Sequence, residues 1–300
     1  MVFYQIKKRE QPLRIGRSAL VLVLALIFSF ALCALLLFFG GTPPVAGIRA
    51  LFTGAFGSRW ALEDTVVKAI PIFLCSLGVA AAFRLRIWNI GAEGQFALGA
   101  IGATWAALSF SQLPAWLLQP LMIAAATVCG GLWGLIPALL RQKMRANEII
   151  VTLMLNYIAV LLLQFLVYNV WRDNVWRDPA SYGFAVSPAF TEAAIIGTIA
   201  DTSIHWGIVH CLLLGLLFWF FFRFTRVGFE IKVAGENVNA ARYARIPYSF
   251  LVFFIMVISG ALAGWAGFVE ASATVNRLQP SIMVGYGYTA IVVAWLARLN

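Results

Sequence analysis

The residues of this sequence with the clearest potential for a functional role are polar side chains at the start of a long apolar segment. Asn89, Glu93 and Gln95 lie in the stretch Ile87-Trp-Asn-Ile-Gly-Ala-Glu-Gly-Gln95, which follows two arginines and leads into a long uncharged run. A carboxylate at membrane depth costs about 2.5–3.5 kcal/mol on insertion scales, so such a residue usually faces a cavity or a partner helix. Two interpretations of Glu93 stay open: solvation or ion pairing at the headgroup level, or a role in a solute path or a helix contact.

Other polar residues interrupt the apolar runs further along the chain. For each of them an interhelical hydrogen bond explains the side chain as well as a place on a substrate path does. Glycines around the first stretch predict that another helix approaches closely there, or that the helix breaks; they are Gly91, Gly94, Gly99 and Gly102. The candidate substrate-path residues are Asn89, Glu93, Gln95, Asn156 and Asn276.

The sequence lacks the usual motifs of catalytic and cofactor sites. It contains no Gly-x-x-x-x-Gly-Lys-Ser/Thr loop, no Gly-x-Ser-x-Gly elbow, no His-Glu-x-x-His and no paired intramembrane carboxylates. The 4 cysteines lie apart within apolar runs, which is typical of small hydrophobic residues rather than of a metal or disulfide site. His205 and His210 are poorly spaced for a shared ligand face on a helix. We therefore predict no enzyme activity, no metal and no cofactor for this chain.

The composition predicts a membrane protein. Of the 300 residues 62% are hydrophobic and only 11% are charged, and runs of about 20 apolar residues are what a helix needs to cross a bilayer. The expected fold is all-α, a polytopic transmembrane helical bundle. The formal net charge of +10 could suggest a nucleic-acid partner, but the basic residues fall between the apolar runs and therefore bear on membrane orientation.

The apolar runs predict about eight spans in one transmembrane domain, residues 1–300. From Gly94 to Leu140 there are 47 uncharged residues, which would form a helix of about 70 Å, over twice the hydrocarbon thickness. The stretch Ser111–Pro114 must therefore be a turn between two spans. Residues 41–63, with Pro43-Pro44 and several glycines, are predicted to be a loop. The remaining predicted spans are Ala19–Gly40, Thr65–Phe83, Ile149–Trp171, Trp206–Phe222, Tyr248–Val269 and Ile282–Ala297.

The distribution of basic residues predicts the orientation. With the N-terminus cytoplasmic, 16 of the 22 lysines and arginines fall on the inner side, as the positive-inside rule favours. Residues 1–18 then form a basic cytoplasmic segment, residues 172–205 a periplasmic segment, and residues 223–247 a cytoplasmic loop. Within this loop a helix should begin at Asn237 or Asn239 and end before Pro247. Such a helix, with Ala240 and Ala241 as small contact positions, could dock a cytoplasmic partner or be a solvated linker.

Three stretches of the chain resemble the permease subunits of bacterial ABC importers, in the branch that handles nucleosides and ribose-type simple sugars. They are Ile87–Gln95, the loop Ala234-Gly-Glu-Asn-x-x-Ala-Ala-Arg-Tyr-Ala-x-Ile246, and Gly285–Asn300. The resemblance implies a non-catalytic transport subunit of the inner membrane, in which residues 223–247 couple to an ATPase. On that pattern the coupling residues are Gly235, Glu236, Asn237, Ala240, Ala241, Tyr243, Ala244 and Ile246.

The resemblance also implies partners and two departures from the family pattern. The partners are a cytoplasmic P-loop ATPase, a second permease subunit (identical or different), a periplasmic or lipid-anchored binding protein, and the lipid bilayer. The family commonly has glycine where this chain has Arg245, and it normally continues through about two more spans after the position of Asn300. The alternative function, an ion-gradient-driven secondary transporter, needs an ionisable group at mid-membrane, for which Glu93 is the candidate.

Overall fold

A computed structural model describes residues 15–172 and 185–297 of the chain. Regular structure in these two ranges is helical, apart from one isolated β-bridge between Thr198 and His205. Short π-helical turns extend two of the helices, at Leu166–Val170 and Glu270–Val275. The α-helices of the described ranges are α1 (Ile15–Phe39), α2 (Pro44–Phe56), α3 (Arg59–Arg84), α4 (Ala92–Ser109), α5 (Ala115–Met144), α6 (Glu148–Phe165), α7 (Gly207–Phe224), α8 (Arg226–Glu236), α9 (Val238–Tyr243), α10 (Tyr248–Val269) and α11 (Tyr286–Leu296).

The all-α polytopic bundle predicted from composition is confirmed. Helices α3, α5, α6, α7 and α10 are long and apolar enough to cross a membrane, and the other three predicted spans are helical as α1, α4 and α11. The predicted turn at Ser111–Pro114 separates α4 from α5. Helix α11 starts only at Tyr286, because a 3-10 turn at Pro280–Ile282 and the left-handed backbone of Gly285, with φ 91°, precede it.

The prediction that residues 41–63 form a loop was wrong. Helix α2 occupies Pro44–Phe56 with a proline in its first turn, and α3 already begins at Arg59. Proline at the first position of a helix loses no hydrogen bond, because that backbone N–H would have no partner within the helix. The Pro-Pro pair that suggested a loop therefore starts a helix.

The chain divides into two compact units, Met1–Thr65 and Val66–Asn300. In the first unit α2 folds back on α1, and Phe30 stacks on Phe52 with ring centroids 5.9 Å apart. The large apolar side chains described on α1 are mostly exposed. Such a surface suits contact with lipid tails, which are as apolar as the side chains themselves.

Helix α4 is the centre of the second unit. Of its 18 residues 15 are buried, and α5, α6, α10 and α11 pack around it. The helices approach closely at small residues. Gly99 of α4 lies against the backbone of Gly264 in α10. A Cβ at Gly102 would lie only 2.7 Å from the carbonyl oxygen of Ala125 in α5. The close approach predicted from these glycines is confirmed. Membrane helices associate through such packing because lipid supplies no hydrophobic driving force between them.

Replacing Gly99 by alanine should therefore destabilise the bundle. The new methyl group would overlap the backbone of Gly264, and overpacking of this kind costs about 1–3 kcal/mol. Chemical denaturation in mixed micelles, followed by tryptophan fluorescence, measures the loss. The matched control is Gly197→Ala, because no atom lies within 4 Å of a Cβ placed at Gly197. Equal stability of the two variants would contradict the packing argument.

Candidate functional site

Four of the five candidate path residues come together where the segment after α3 enters the bundle. We call the cluster of Asn89, Glu93, Gln95, Asn156 and Ser259 the polar junction. Each of these side chains is at most 3% exposed. The cluster joins the beginning of α4 to α6 and α10, so the polar stretch that leads into α4 is also a meeting point of helices.

The amide of Asn89 organises one half of the polar junction. Its Nδ2 donates to Oε1 of Gln95 at 2.9 Å and to Oγ of Ser259 at 2.8 Å. Its Oδ1 accepts from the backbone N–H of Gly91 at 3.0 Å and from Nε2 of Gln95 at 3.3 Å. Asn89 therefore fixes the turn before α4 and ties it to α10.

The amide of Asn156, on α6, organises the other half. Its Oδ1 accepts from the backbone N–H of Gly94 at 2.9 Å. Its Nδ2 donates to the carbonyl oxygen of Ile90 at 2.9 Å and to the hydroxyl of Tyr288 at 3.1 Å. One side chain of α6 thus links the start of α4 with α11.

The carboxylate of Glu93 binds the beginning of α11. Oε1 accepts from the backbone N–H of Gly285 at 3.0 Å, and Oε2 accepts from that of Gly287 at 2.7 Å. The first N–H groups of a helix lack partners within it and carry the positive end of the helix dipole, so a carboxylate stabilises them. Of the interpretations left open for Glu93, the structure shows a helix contact, and the partners are backbone amides rather than an arginine.

Asn276, the fifth candidate, lies apart from the polar junction. It follows the π-turn after α10 in the left-handed conformation, with φ 58° and ψ 20°. Its carbonyl oxygen accepts from the backbone N–H of Phe190 at 2.9 Å, and its Oδ1 is buried without a partner among the described residues. It follows Ser259 by 17 residues, about 25 Å along a helix.

The predicted coupling loop contains two helices, α8 and α9, and each begins at a residue whose side chain caps it. The hydroxyl of Thr225 accepts from the N–H of Gly228 at 3.0 Å and begins α8. Oδ1 of Asn237 accepts from the N–H groups of Asn239 at 2.9 Å and Ala240 at 3.2 Å and begins α9. The predicted helix start at Asn237 is confirmed. Sequence reasoning missed α8, although Thr225 is a typical N-cap residue and apolar residues recur at helical spacing after it.

The predicted coupling residues divide between two faces of α8 and α9. Gly235 and Ala241 are buried, and a Cβ at Gly235 would overlap the carbonyl oxygen of Arg84 at the end of α3. Ile246 is half-buried, and its N–H donates to the carbonyl oxygen of Ala241 at 2.9 Å. Tyr243 is 94% exposed. The other exposed coupling residues are Glu236, Asn237, Ala240 and Ala244.

The buried face belongs to a hydrophobic cluster that we call the inner cluster. It brings residues of α8 and α9 together with the end of α3, the segment after α3 and the first turns of α10. The small side chains of Ala234 and Ala241 allow the close packing. The fully buried members of the inner cluster include Ala82, Leu85, Ile87, Ile231, Ala234, Ala241, Leu251 and Ile255.

Arg245 keeps the backbone conformation that glycine would adopt. Its φ is 56°, and Arg86 and Arg145, each just after a helix, have φ of 55° and 54°. The left-handed conformation costs an L-residue about 1–2 kcal/mol, whereas a cation near a helix C-terminus is favourable. Arg245 thus has a glycine-type backbone at the position where the resemblance predicts glycine.

Comparison with known proteins gives one family and several relatives. A family model described as "Branched-chain amino acid transport system / permease component" matches residues 61–300. The guanosine ABC transporter permease protein NupP of Bacillus subtilis is 34% identical over 279 residues, covering 92% of this chain and 79% of the relative.

Two further relatives carry other substrate names. The glucose ABC transporter permease protein TsgB13 of Haloferax volcanii is 34% identical over 262 residues, covering 85% of this chain and 68% of the relative. The nucleoside ABC transporter permease protein NupB of Lactococcus lactis subsp. cremoris is 30% identical over 284 residues, covering 93% and 78%. No solved structure matches the chain.

Proposed function

This chain belongs to the family of transport-system permease components, and from that premise we propose that it carries a nucleoside through the inner membrane as a subunit of an ATP-driven importer. Permease components are transport subunits without catalytic activity that work with an ATPase and a binding protein. The proposal is carried by identity of 30–34% to permeases named for guanosine, nucleosides and glucose. Two of these three names are nucleoside names, so a simple sugar is the second candidate substrate.

The exposed face of α9 is the proposed docking surface for the ATPase. Tyr243 projects with 94% of its surface exposed, and Ala240 beside it leaves room for a partner. Tyrosines are enriched among residues that dominate binding energy at interfaces. Ala241 is fully buried against the chain's own core, so its proposed contribution is to hold α9 rather than to contact the ATPase.

The opposite face of α8 and α9 supports a mechanical role. Gly235 lies on the carbonyl of Arg84, Leu85 and Ile87 belong to the inner cluster, and Asn89 follows at once in the polar junction. Movement of α8 would displace this short segment and with it the start of α4. Nucleotide binding by the ATPase would thereby shift a two-state arrangement of helices.

The proposed substrate path runs along the edge of the polar junction rather than through it. The polar atoms of Asn89 and Glu93 are engaged within the protein, whereas Tyr288, bound to Asn156, is 41% exposed and Tyr157 is 61% exposed. Aromatic rings beside an amide suit a base or a sugar, which offer a flat face and hydrogen-bonding edges. A second permease subunit, identical or different, would complete the path. The ion-driven alternative has no support from Glu93, whose two oxygens both bind α11.

The docking proposal predicts that Ala240→Arg removes the ATPase. Tagged protein, expressed in its host and extracted in mild detergent, should copurify with a P-loop ATPase identified by mass spectrometry. The variant should retain roughly a tenth or less, the scale of a central interface contact. Ala115→Arg, the same change at an exposed position on the first turn of α5, should retain it fully. Retention of the ATPase by Ala240→Arg, or its absence from well-folded wild-type protein, would refute the proposal.

The substrate is tested by uptake of labelled guanosine and labelled glucose. Cells lacking the gene should lose guanosine uptake and recover it with the wild-type chain but not with Ala240→Arg. Recovery of glucose uptake alone would assign the sugar and leave the importer function standing.

A further inference from the structure

We propose that a cavity at the basic end of the second unit binds an anionic phospholipid of the inner leaflet. The cavity has a volume of about 880 Å³ and lies between α3, α7, α8 and α11. We call it the basic-end cavity. This site is separate from the proposed substrate path, and its test does not require transport.

The charges around the basic-end cavity favour an anion. Four cations line it, Arg84, Arg86, Arg223 and Lys232, against the single carboxylate of Glu236. In residues 15–172 and 185–297 none of these cations forms an ion pair. Clusters of lysine and arginine at the cytoplasmic ends of membrane helices attract anionic lipid headgroups.

The guanidinium of Arg84 is positioned to bind the phosphate of such a headgroup. Its guanidinium carbon lies 4.4 Å from the centre of the Phe222 ring, which fixes the planar group by a cation–π contact. Its Nε is buried and has no hydrogen-bond partner in the described part of the chain. A buried donor without a partner is costly, and a phosphate oxygen would satisfy it while matching the guanidinium geometry.

The walls of the cavity fit an acyl chain rather than a soluble anion. Phe73 and Trp219, which line it, are 41% and 60% exposed. Phe73 also lines a second, apolar cavity of about 410 Å³ between α3 and α7, which begins at Val66. Together the two cavities follow α3 from Val66 to Arg84, about 27 Å of helix, so they have room for an acyl chain that enters one leaflet to its depth of ~15 Å. A phosphate site with an apolar groove of this length matches a phospholipid.

The orientation predicted from the basic residues places the basic end of the second unit at the inner leaflet. Arg223 lies in the last turn of α7 and Arg84 in the last turn of α3, and the excess of basic residues assigns this end to the cytoplasm. A lipid bound there contacts both α3 and α8, and therefore holds together the two elements that meet at Gly235.

The test compares two lipids with identical acyl chains. Purified full-length protein in mild detergent is titrated with palmitoyl-oleoyl phosphatidylglycerol or phosphatidylcholine, and bound lipid is counted by native mass spectrometry. Wild-type protein should bind phosphatidylglycerol roughly tenfold or more tightly than phosphatidylcholine. The double variant Arg223→Gln with Lys232→Gln should lose this preference. Both side chains are exposed, so the variant should fold, and its thermal midpoint in lipid-free detergent verifies that.

The matched control removes two charges outside the cavity. Lys143 and Arg242 are exposed at the same end, and Lys143→Gln with Arg242→Gln should keep the preference. Equal binding of the two lipids by wild-type protein would overturn the proposal, as would equal loss in both double variants, which would show only a diffuse charge effect. Displacement of phosphatidylglycerol by millimolar inorganic phosphate would overturn it in favour of a soluble anion.

Discussion

Replacing Glu93 by alanine is expected to lower the free energy of unfolding by about 3 kcal/mol or more. The change leaves the backbone N–H groups of Gly285 and Gly287 without the carboxylate that binds them at 3.0 and 2.7 Å. A buried donor left without a partner costs about 1–3 kcal/mol. The bond from Gly287 is buried and the bond from Gly285 is part-buried, and Glu93 is only 3% exposed, which leaves water little access to the site. Denaturation in mixed micelles measures the loss.

Two further variants separate capping of α11 from a general effect of charge. Glu93→Gln keeps one oxygen acceptor and should therefore lose less stability than Glu93→Ala. Glu192→Ala removes a carboxylate from an exposed position and should leave stability unchanged. If Glu93→Ala were as stable as the wild type, Glu93 would not hold the start of α11. If Glu93→Gln were as unstable as Glu93→Ala, a single acceptor would not be enough to hold the start of α11, because the amide NH2 of glutamine cannot accept from the second N–H.

The helices of the bundle could be predicted because span length and charge are local properties. The uncharged run from Gly94 to Leu140 is too long for one span, and the turn at Ser111–Pro114 followed from that length alone. The close helix contacts at Gly99 were likewise predictable from the absence of a side chain. Helix α2 was not, because proline both ends helices and begins them, and the sequence alone did not distinguish the two.

The partners of the polar residues could not be predicted in the same way. Glu93 binds backbone groups of Gly285 and Gly287, which are far away in the sequence, and a backbone N–H leaves no mark in a residue pattern. For the same reason a hydrogen bond and a place on the path were equally good explanations of Asn89 and Asn156. The sequence indicated which side chains are unusual in a membrane, but only the packing of α6, α10 and α11 around α4 shows what they bind.

The coupling loop shows the same limit over a shorter distance. Asn237 was identified as a helix start because capping involves residues two and three positions ahead. The different surroundings of Ala240, which is exposed, and Ala241, which is buried, depend on how α9 lies against the inner cluster. A helix of 6 residues is too short for its sequence periodicity to indicate which side faces the protein.

Gly235→Val is expected to reduce uptake roughly tenfold or more while the ATPase still copurifies. A branched side chain at this position cannot fit against the carbonyl of Arg84, so α8 must move away from the end of α3, and overpacking of this kind resists relaxation. The substitution changes no residue on the exposed face of α9, where Ala240 and Tyr243 lie, so docking should persist. A tenfold loss corresponds to about 1.4 kcal/mol of transition-state stabilisation.

The result distinguishes transmission from docking, because Ala240→Arg should lose the ATPase and Gly235→Val should retain it. Gly197→Val is the matched control, since Gly197 is exposed and no atom lies within 4 Å of a Cβ there, and it should transport normally. In reconstituted membranes the Gly235→Val complex should hydrolyse ATP without the matching solute uptake. Normal uptake by Gly235→Val would mean that α8 and α3 do not need to move together, and the segment from Arg84 to Asn89 would then not carry the motion to α4.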